Sequence, residues 1–310
     1  MDLSAINPVL LLASLVAAAT PILLAAIGEL VVEKAGVLNL GVEGMMITGA
    51  ICGFVVSVNT GSPFLGFTAA AAGGAGLSLL FGLCTQYLLS NQVATGLALT
   101  LFGLGLSSLL GQNYLGLRAP GLSALYIPVL RDIPILGPIL FRQDAVVYLG
   151  IAICVGVWVF LRYSRAGLIL RAVGENHDAA HALGYKVIRV RLLAIMFGGA
   201  CAGLGGAYLS IIRVPQWTDG VTAGAGWIAL AIVVFASWRP GRLLVGAYLF
   251  GGVGALQLNL QAARVPIPAE LLSMAPYLVT IASLVILSAG RGGAAMAAPG
   301  SLGRSFHASR

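Results

Sequence analysis

The chain alternates long apolar runs with short polar breaks, and most runs exceed what a strand or a helix of a soluble domain needs. Residues 3–28 carry no charge. That is enough for one membrane crossing, since about 20 residues rising ~1.5 Å each span a hydrocarbon core of ~30 Å. Pro21 interrupts this run, which neighbouring helices accommodate in a bilayer. Glu29, Glu33 and Lys34 then read as a small polar loop, and Glu43 stands inside the next apolar stretch. Residues 44–117 hold no charged side chain, leaving room for about three crossings. Turn-forming clusters at 59–63 (NTGSP) and 90–92 (SNQ) divide them. The proline-bearing stretch 112–144 reads as an ordered external connection. Residues 145–161 form a crossing of minimal length, and 192–212, 220–238, 243–263 and 271–290 form four more. The pattern predicts an all-α polytopic membrane protein with about nine transmembrane helices, within a range of about eight to ten. Residues 1–290 form one transmembrane domain. Residues 291–310, built of Gly, Ala, Ser and Arg without apolar periodicity, are expected to be a disordered cytoplasmic tail.

The one long stretch with soluble character is 162–191, RYSRAGLILRAVGENHDAAHALGYKVIRVR, which holds six of the 17 Lys and Arg residues. Composition agrees with a bilayer environment: 59% of residues are hydrophobic, 9% are charged and the mean hydropathy is +0.99. A soluble globular domain is roughly a quarter charged. A net charge of +7 suggests nucleic acid in a soluble protein, but here the basic residues fall in short loops and signal topology instead. With 162–191 in the cytoplasm, so are Lys34, Arg239, Arg242, Arg291, Arg304 and Arg310, leaving Arg118, Arg131, Arg142, Arg213 and Arg264 outside. The C-terminus is then cytoplasmic and the N-terminus external. No basic region precedes the first run, so that run is expected to be retained. Cys52, Cys84, Cys154 and Cys201 lie in apolar segments without CxxC spacing, which suggests neither a disulfide framework nor a metal site. The spacings Gly199–Gly203 and Gly220–Gly224 read as close helix packing.

Within 162–191, Asn176 is a cap for a helix over 177–183, with Asp178 in its first turn and Gly184 past its end. Two turns are marginal alone in water and need packing to persist. Ala179, Ala180 and Leu183 share a face that suits a partner's groove; the alternative is a plain basic loop that only sets topology. His177 and His181 lack a third ligand and read as surface histidines.

Glu43 is the sharpest single residue, because a carboxylate in a bilayer costs at least ~2.5 kcal/mol. Asn39 lies on the same helical face, and Gly36, Gly41 and Gly44 permit a break. Two readings stand: Glu43 and Asn39 line a solute path, or Glu43 ties down the break through backbone N–H groups. Asn91, Gln92 and Thr95 form a second polar patch, and Trp227 with Asp219 a third. Each either meets a polar solute or sits at a membrane interface. A phosphate loop needs Lys before Ser or Thr. The two lysines precede Ala35 and Val187, so ATP-driven work would need another polypeptide.

The stretches GVLNLGVEGMM (36–46), NQVATGLALT (91–100), RAGLILRAVGENHDAAHALGYKVIRVR (165–191), GWIALAIVVFASWRPGR (226–242) and IPAELLSMAPYLVT (267–280) resemble a permease subunit of bacterial ABC importers. The resemblance is to the superfamily of branched-chain amino acid and ribose permeases, and within it to the nucleoside or simple-sugar branch. It implies a pore of two related permease subunits, as hetero- or homodimer, in the bacterial cytoplasmic membrane. A cytoplasmic ABC ATPase binding ATP and Mg would energise it, an extracytoplasmic solute-binding protein would feed it, and this chain would bind no cofactor, metal or nucleic acid. It also implies that Gly174 to Gly184 form the coupling helix, with Gly174, Glu175, Asn176, Asp178, Ala179, Ala180, Leu183 and Gly184 meeting the ATPase. Ala225 and the pair Ala236, Ser237 stand where the resemblance implies Arg and Gly-rich positions, so no solute contact carries over there. The rival reading is an ion-coupled secondary transporter, which also uses interrupted helices. Against it, the sequence offers one convincing intramembrane carboxylate and no paired charges.

Overall fold

The computed structural model describes residues 8–123, 125, 133–134, 136–262, 268, 270–271, 274–275, 278–279, 281–282, 285 and 298–307. Its helices are α1 (Pro8–Lys34), α2 (Val42–Thr60), α3 (Pro63–Gln86), α4 (Gln92–Gly111), α5 (Leu136–Leu140), α6 (Ala145–Tyr163), α7 (Arg165–Glu175), α8 (His177–Ala182), α9 (Val187–Ala207), α10 (Ala225–Phe235) and α11 (Pro240–Ala262). A 3-10 turn extends α4 to Tyr114 and a π-helical turn extends α9 to Arg213. With these extensions, seven helices among the described residues are long and apolar enough to cross a membrane. The all-α polytopic membrane fold is therefore as the apolar pattern predicts. The predicted breaks also lie where expected: Ser62 and Asn91 cap α3 and α4, accepting from the Leu65 and Ala94 amides.

Two predicted elements take a different form. The supposed polar loop Glu29–Lys34 is the last part of α1, because Leu30, Val31 and Val32 continue the apolar run without a helix breaker. Glu29 and Glu33, one turn apart, face the interior and are 1% and 2% exposed. The true break is 35–41, where Gly36 turns the chain with φ of +84°. The predicted crossing 220–238 is helical only over the 11 residues of α10, about half a hydrocarbon core in length. Turns fill 219–224, and Leu115 pairs with Trp217 and Arg118 with Gln216 before them. The predicted crossing 271–290 lies largely outside the described residues.

Backbone contact through glycine holds the centre of the bundle. A Cβ on Gly74 would overlap the Gly199 carbonyl oxygen, one on Gly203 the Ala70 carbonyl oxygen, and one on Gly206 the Met46 carbonyl oxygen. So α2, α3 and α9 touch backbone to backbone, as helices without a hydrophobic drive between them require. The Gly199–Gly203 spacing is packing, as read from the sequence, whereas Gly220 and Gly224 lie in turns with φ of +67° and +84° and not at a helix contact.

At one end of the bundle, Lys34, Arg162, Arg171 and Arg239 line a cavity of about 360 Å³ together with Trp158 and Trp238. These cations come from α1, α6, α7 and the corner before α11, and all four belong to the set assigned to the cytoplasm. The α7–α8 hairpin sits at this end. Residues 298–307, expected to be disordered, instead pack beneath it: Ser301 and Phe306 are 4% and 5% exposed. Phe306 supplies the apolar anchor that a reading of Gly, Ala, Ser and Arg content overlooked. Residues 291–297 and 308–310 lie outside the described residues.

Candidate functional site

The break between α1 and α2 turns back along α1. The Asn39 side chain accepts from the Gly41 amide at 2.9 Å, closing the turn, and its Nδ2 reaches Glu29 Oε2 at 3.4 Å. Helix α4 braces the same segment with residues four apart on one face. Gln92 Oε1 accepts from the Leu38 amide at 2.8 Å, Gly96 lies against Leu40 and Gly41, and Thr100 donates to the Leu40 carbonyl at 3.2 Å. The NQVATGLALT stretch is thus a cradle for an unwound backbone.

Glu43 stands in the first turn of α2 and is 4% exposed. Its Oε1 accepts from the Thr222 hydroxyl and from the Gly224 amide at 3.0 Å, and its Oε2 accepts from the Gly226 amide at 2.7 Å. These amides open α10, so a carboxylate meets the positive end of a half-helix inside the bundle. Gly226 is required: a Cβ there would lie 2.6 Å from the Glu43 Cα and amide nitrogen. At the other end of α10 the Trp238 indole donates to Glu33 Oε2. Glu43, just past the interrupted segment 35–41, is therefore stitched to the second one, 214–224, while Glu33 of α1 holds the far end of α10. Unpaired buried polar atoms remain beside the stitch, namely Gln92 Nε2, Glu29 Oε1 and Thr48 Oγ1.

Of the residues singled out from the sequence, Asn39, Glu43 and Gln92 converge here. Asn91, Thr95 and Trp227 do not. Asn91 is an exposed cap, the Thr95 hydroxyl lies 2.8 Å from that of Ser90, and Trp227 is 37% exposed. Reading the residues in order missed Glu29, Glu33, Thr100, Thr222, Gly224, Gly226 and Trp238. The spacing of Glu29 and Glu33 within an unbroken apolar pattern was an available signal; the amide donors of 224 and 226 leave none in a sequence.

In the α7–α8 hairpin, Asn176 caps α8 by accepting from Ala179 N at 3.0 Å, and Gly184 follows the helix with φ of +87°, both as expected. The orientation of the helix corrects two readings. Ala180 is 2% exposed and packs with Val173, Val187 and Phe306, so it does not share the outward face. His177 is 7% exposed rather than a surface histidine, because the rings of His177 and His181 both meet Phe306 edge-on. Gly174 is buried as well: a Cβ there would overlap the Lys34 carbonyl oxygen. Glu175, Asn176, Asp178, Ala179 and Leu183 remain outward, with Leu183 77% exposed.

Arg191, 0% exposed, joins the hairpin to the break. Its Nε donates to the Ala35 carbonyl at 3.2 Å, its Nη1 to the Arg304 carbonyl at 3.0 Å and toward Gln86 Oε1 at 3.5 Å, and its Nη2 to His177 Nδ1 at 3.0 Å. A guanidinium only donates, so Nδ1 is the acceptor and His177 is neutral. Burial, then the neighbouring Arg191 charge, hold the His177 pKa below its ordinary 6.5. No cluster of His, Cys, Asp or Glu suited to a metal occurs among the described residues.

Comparison with known proteins agrees with this architecture. The family model described as branched-chain amino acid transport system / permease component matches residues 11–284. TsgC13 of Haloferax volcanii, which carries the name of a glucose ABC transporter permease protein, is 42% identical, with 88% of this chain and 90% of that one covered. The guanosine ABC transporter permease protein NupQ of Bacillus subtilis is 33% identical, covering 92% and 93%. The nucleoside ABC transporter permease protein NupC of Lactococcus lactis is 30% identical, covering 89% and 92%. With a bundle of apolar helices, broken segments at its heart and a family match over nearly its whole length, this chain belongs to the branched-chain amino acid transport permease family and is a multi-pass permease component of an ABC transporter.

Proposed function

We propose that the chain forms part of the translocation path for a nucleoside or simple-sugar-like solute, and that ATP hydrolysis on a separate subunit drives it. The observation that carries this reading is the Glu43 stitch. A half-helix is held by its N-terminal amides within the bundle, beside a second break and an unpaired Gln92 Nε2. Broken helices at membrane depth occur where backbone is buried in protein or lines a cavity, and they mark solute sites in transporters. In this conformation both oxygens of the Glu43 carboxylate are engaged by the protein. Solute would meet it and Asn39 in a second state, where α10 has shifted and a polar, hydroxyl-rich molecule takes the place of Thr222 and the amides. The names of the relatives, glucose, guanosine and nucleoside, agree with such a molecule.

The partners that complete the cycle are an ABC ATPase holding ATP and Mg below the membrane, a second related permease subunit and an external solute-binding protein. The ATPase would meet α8 through Ala179 and Leu183, an apolar pair that faces out beyond the spans. Differential binding of ATP and of loaded binding protein would bias two states of the path. Replacing Leu183 with Glu is expected to leave membrane insertion and subunit assembly intact while lowering solute-stimulated ATP hydrolysis by about tenfold or more in proteoliposomes. Unaltered stimulation would remove α8 as the coupling element.

Ion-coupled transport gains support from one observation, the burial of Glu29 and Glu33 besides Glu43. Uptake that follows a proton or sodium gradient when the ATPase subunit is absent would favour it.

A further inference from the structure

The C-terminal segment 298–307 lies between the α7–α8 hairpin and the break at 35–41, touching both. Toward the hairpin, Ser301 N donates to the Gly174 carbonyl at 2.9 Å, and the Ser301 hydroxyl accepts from His177 N at 3.2 Å and reaches the Glu175 carbonyl at 3.3 Å. Phe306 closes the pocket formed by Val173, Ala180 and Val187. Toward the break, the three bodies meet at Gly36. A Cβ on Gly36 would lie 3.0 Å from Arg191 Nη2, 3.2 Å from Gly174 Cα and 3.3 Å from the Ser301 carbonyl oxygen. Arg191 binds all of them at once, through His177, the Arg304 carbonyl and the Ala35 carbonyl.

We propose that residues 298–307, locked by Arg191, are a strut that carries displacement of α8 to the 35–41 segment, making the C-terminal segment a working part of energy coupling. A helix of six residues does not hold its place alone. Without Phe306 and Ser301 its inner face would rest, among the described residues, on α7 and the start of α9. Packed interiors pass on displacement because they are dense and switch between discrete arrangements. At Gly36 even a methyl group would press on Arg191, on Gly174 of α7 and on Ser301, so the hairpin and the C-terminal segment both bear directly on the break. That break carries Asn39 and leads into Glu43. Arg191 is a positioning residue in this scheme, because it touches neither nucleotide nor solute. The inference rests on the reading of α8 as the element that meets the ATPase.

The test uses the whole transporter in nanodiscs, with the chain intact, truncated after residue 297, or carrying Phe306→Ala, Arg191→Gln or Arg191→Lys. The first readout is maleimide labelling of a Val173→Cys background, since Val173 is 0% exposed behind Phe306. The second is ATP hydrolysis with and without the solute-loaded binding protein, normalised to assembled complex. Truncation and Phe306→Ala are expected to speed labelling about tenfold and to cut stimulation several-fold, with basal hydrolysis and assembly retained. Arg191→Gln should lower stimulation in the same way, and Arg191→Lys should recover part of it; a purely structural role would lower assembly and basal hydrolysis together. Unchanged labelling in both Phe306→Ala and the truncation would overturn the strut. Faster labelling with undiminished stimulation would overturn its role in coupling. If Leu183→Glu also leaves stimulation unchanged, the failure belongs to the α8 reading; if Leu183→Glu abolishes it, the failure belongs to the strut alone.

Discussion

The α2–α3–α9 centre and the short helix α8 are held by opposite means. In the centre, glycines let backbones touch, and a side chain at Gly74, Gly203 or Gly206 would collide with a carbonyl. In the hairpin, a short helix rests on one phenylalanine, one serine and one buried guanidinium. Steric contact of the first kind has no soft alternative, so it fixes a frame. Hydrogen bonds of the second kind can be exchanged one for another, so they permit motion and respond to charge.

The largest effect should come from breaking the frame. Gly203→Leu forces α3 and α9 apart, and overpacking a dense interior costs typically ~1–3 kcal/mol, occasionally more. Backbone is the obstacle here, so little folded protein should survive detergent extraction by size-exclusion chromatography. An extractable variant with unchanged thermal stability would contradict the close contact.

Next in size is Glu43→Ala, which leaves the Gly224 and Gly226 amides without acceptors at ~1–3 kcal/mol each. Glu43→Gln retains one acceptor oxygen and should cost less, because hydrogen bonds to a charged group are about twice as strong as neutral ones. Thermal unfolding in nanodiscs should rank wild type above Gln above Ala. Transport should fall in both variants, whereas equal stability of Ala and Gln would argue against the stitch.

The smallest effect is a pH dependence of the hairpin's hold on the C-terminal segment. His177 is faced by Arg191, Asp178 and Arg304 and has a folded pKa below 6.5. A base with a depressed pKa binds more protons once released, so its contribution is present above the ordinary pKa and fades as pH falls below it. Acidification from about pH 6.5 toward 5 should therefore loosen residues 298–307, seen as faster maleimide labelling of Val173→Cys at a fixed thiolate concentration. His177→Asn should flatten that dependence, and a profile steeper at alkaline pH would reverse the assignment.

How much of this was legible depends on the range of the interaction. Apolar runs, the Asn91 and Asn176 caps, the Gly184 terminator and the Gly199–Gly203 spacing act over a turn or two, and each did what its residue type dictates. The misreadings came where a residue's setting is decided by distant partners. Glu29 and Glu33 resembled a loop because charge usually marks an aqueous end, yet Asn39 and Trp238 receive them inside the bundle. His177 and Ala180 resembled surface because their partner Phe306 comes from over a hundred positions later.

The sequence by itself determined that this chain lives in a bilayer as a bundle of helices, which end carries the basic residues, and that its sharpest polar residue is Glu43. Hydrophobic length and local capping are properties of contiguous residues, and the solvent alone enforces them. Only the tertiary structure decided that 214–224 is unwound, that Glu43 binds the amides of α10 and that Arg191 joins the hairpin, the break and the C-terminal segment. Those outcomes turn on where backbone amides and carbonyls meet across the bundle, and every residue carries such groups alike, so residue identity alone leaves their partners open.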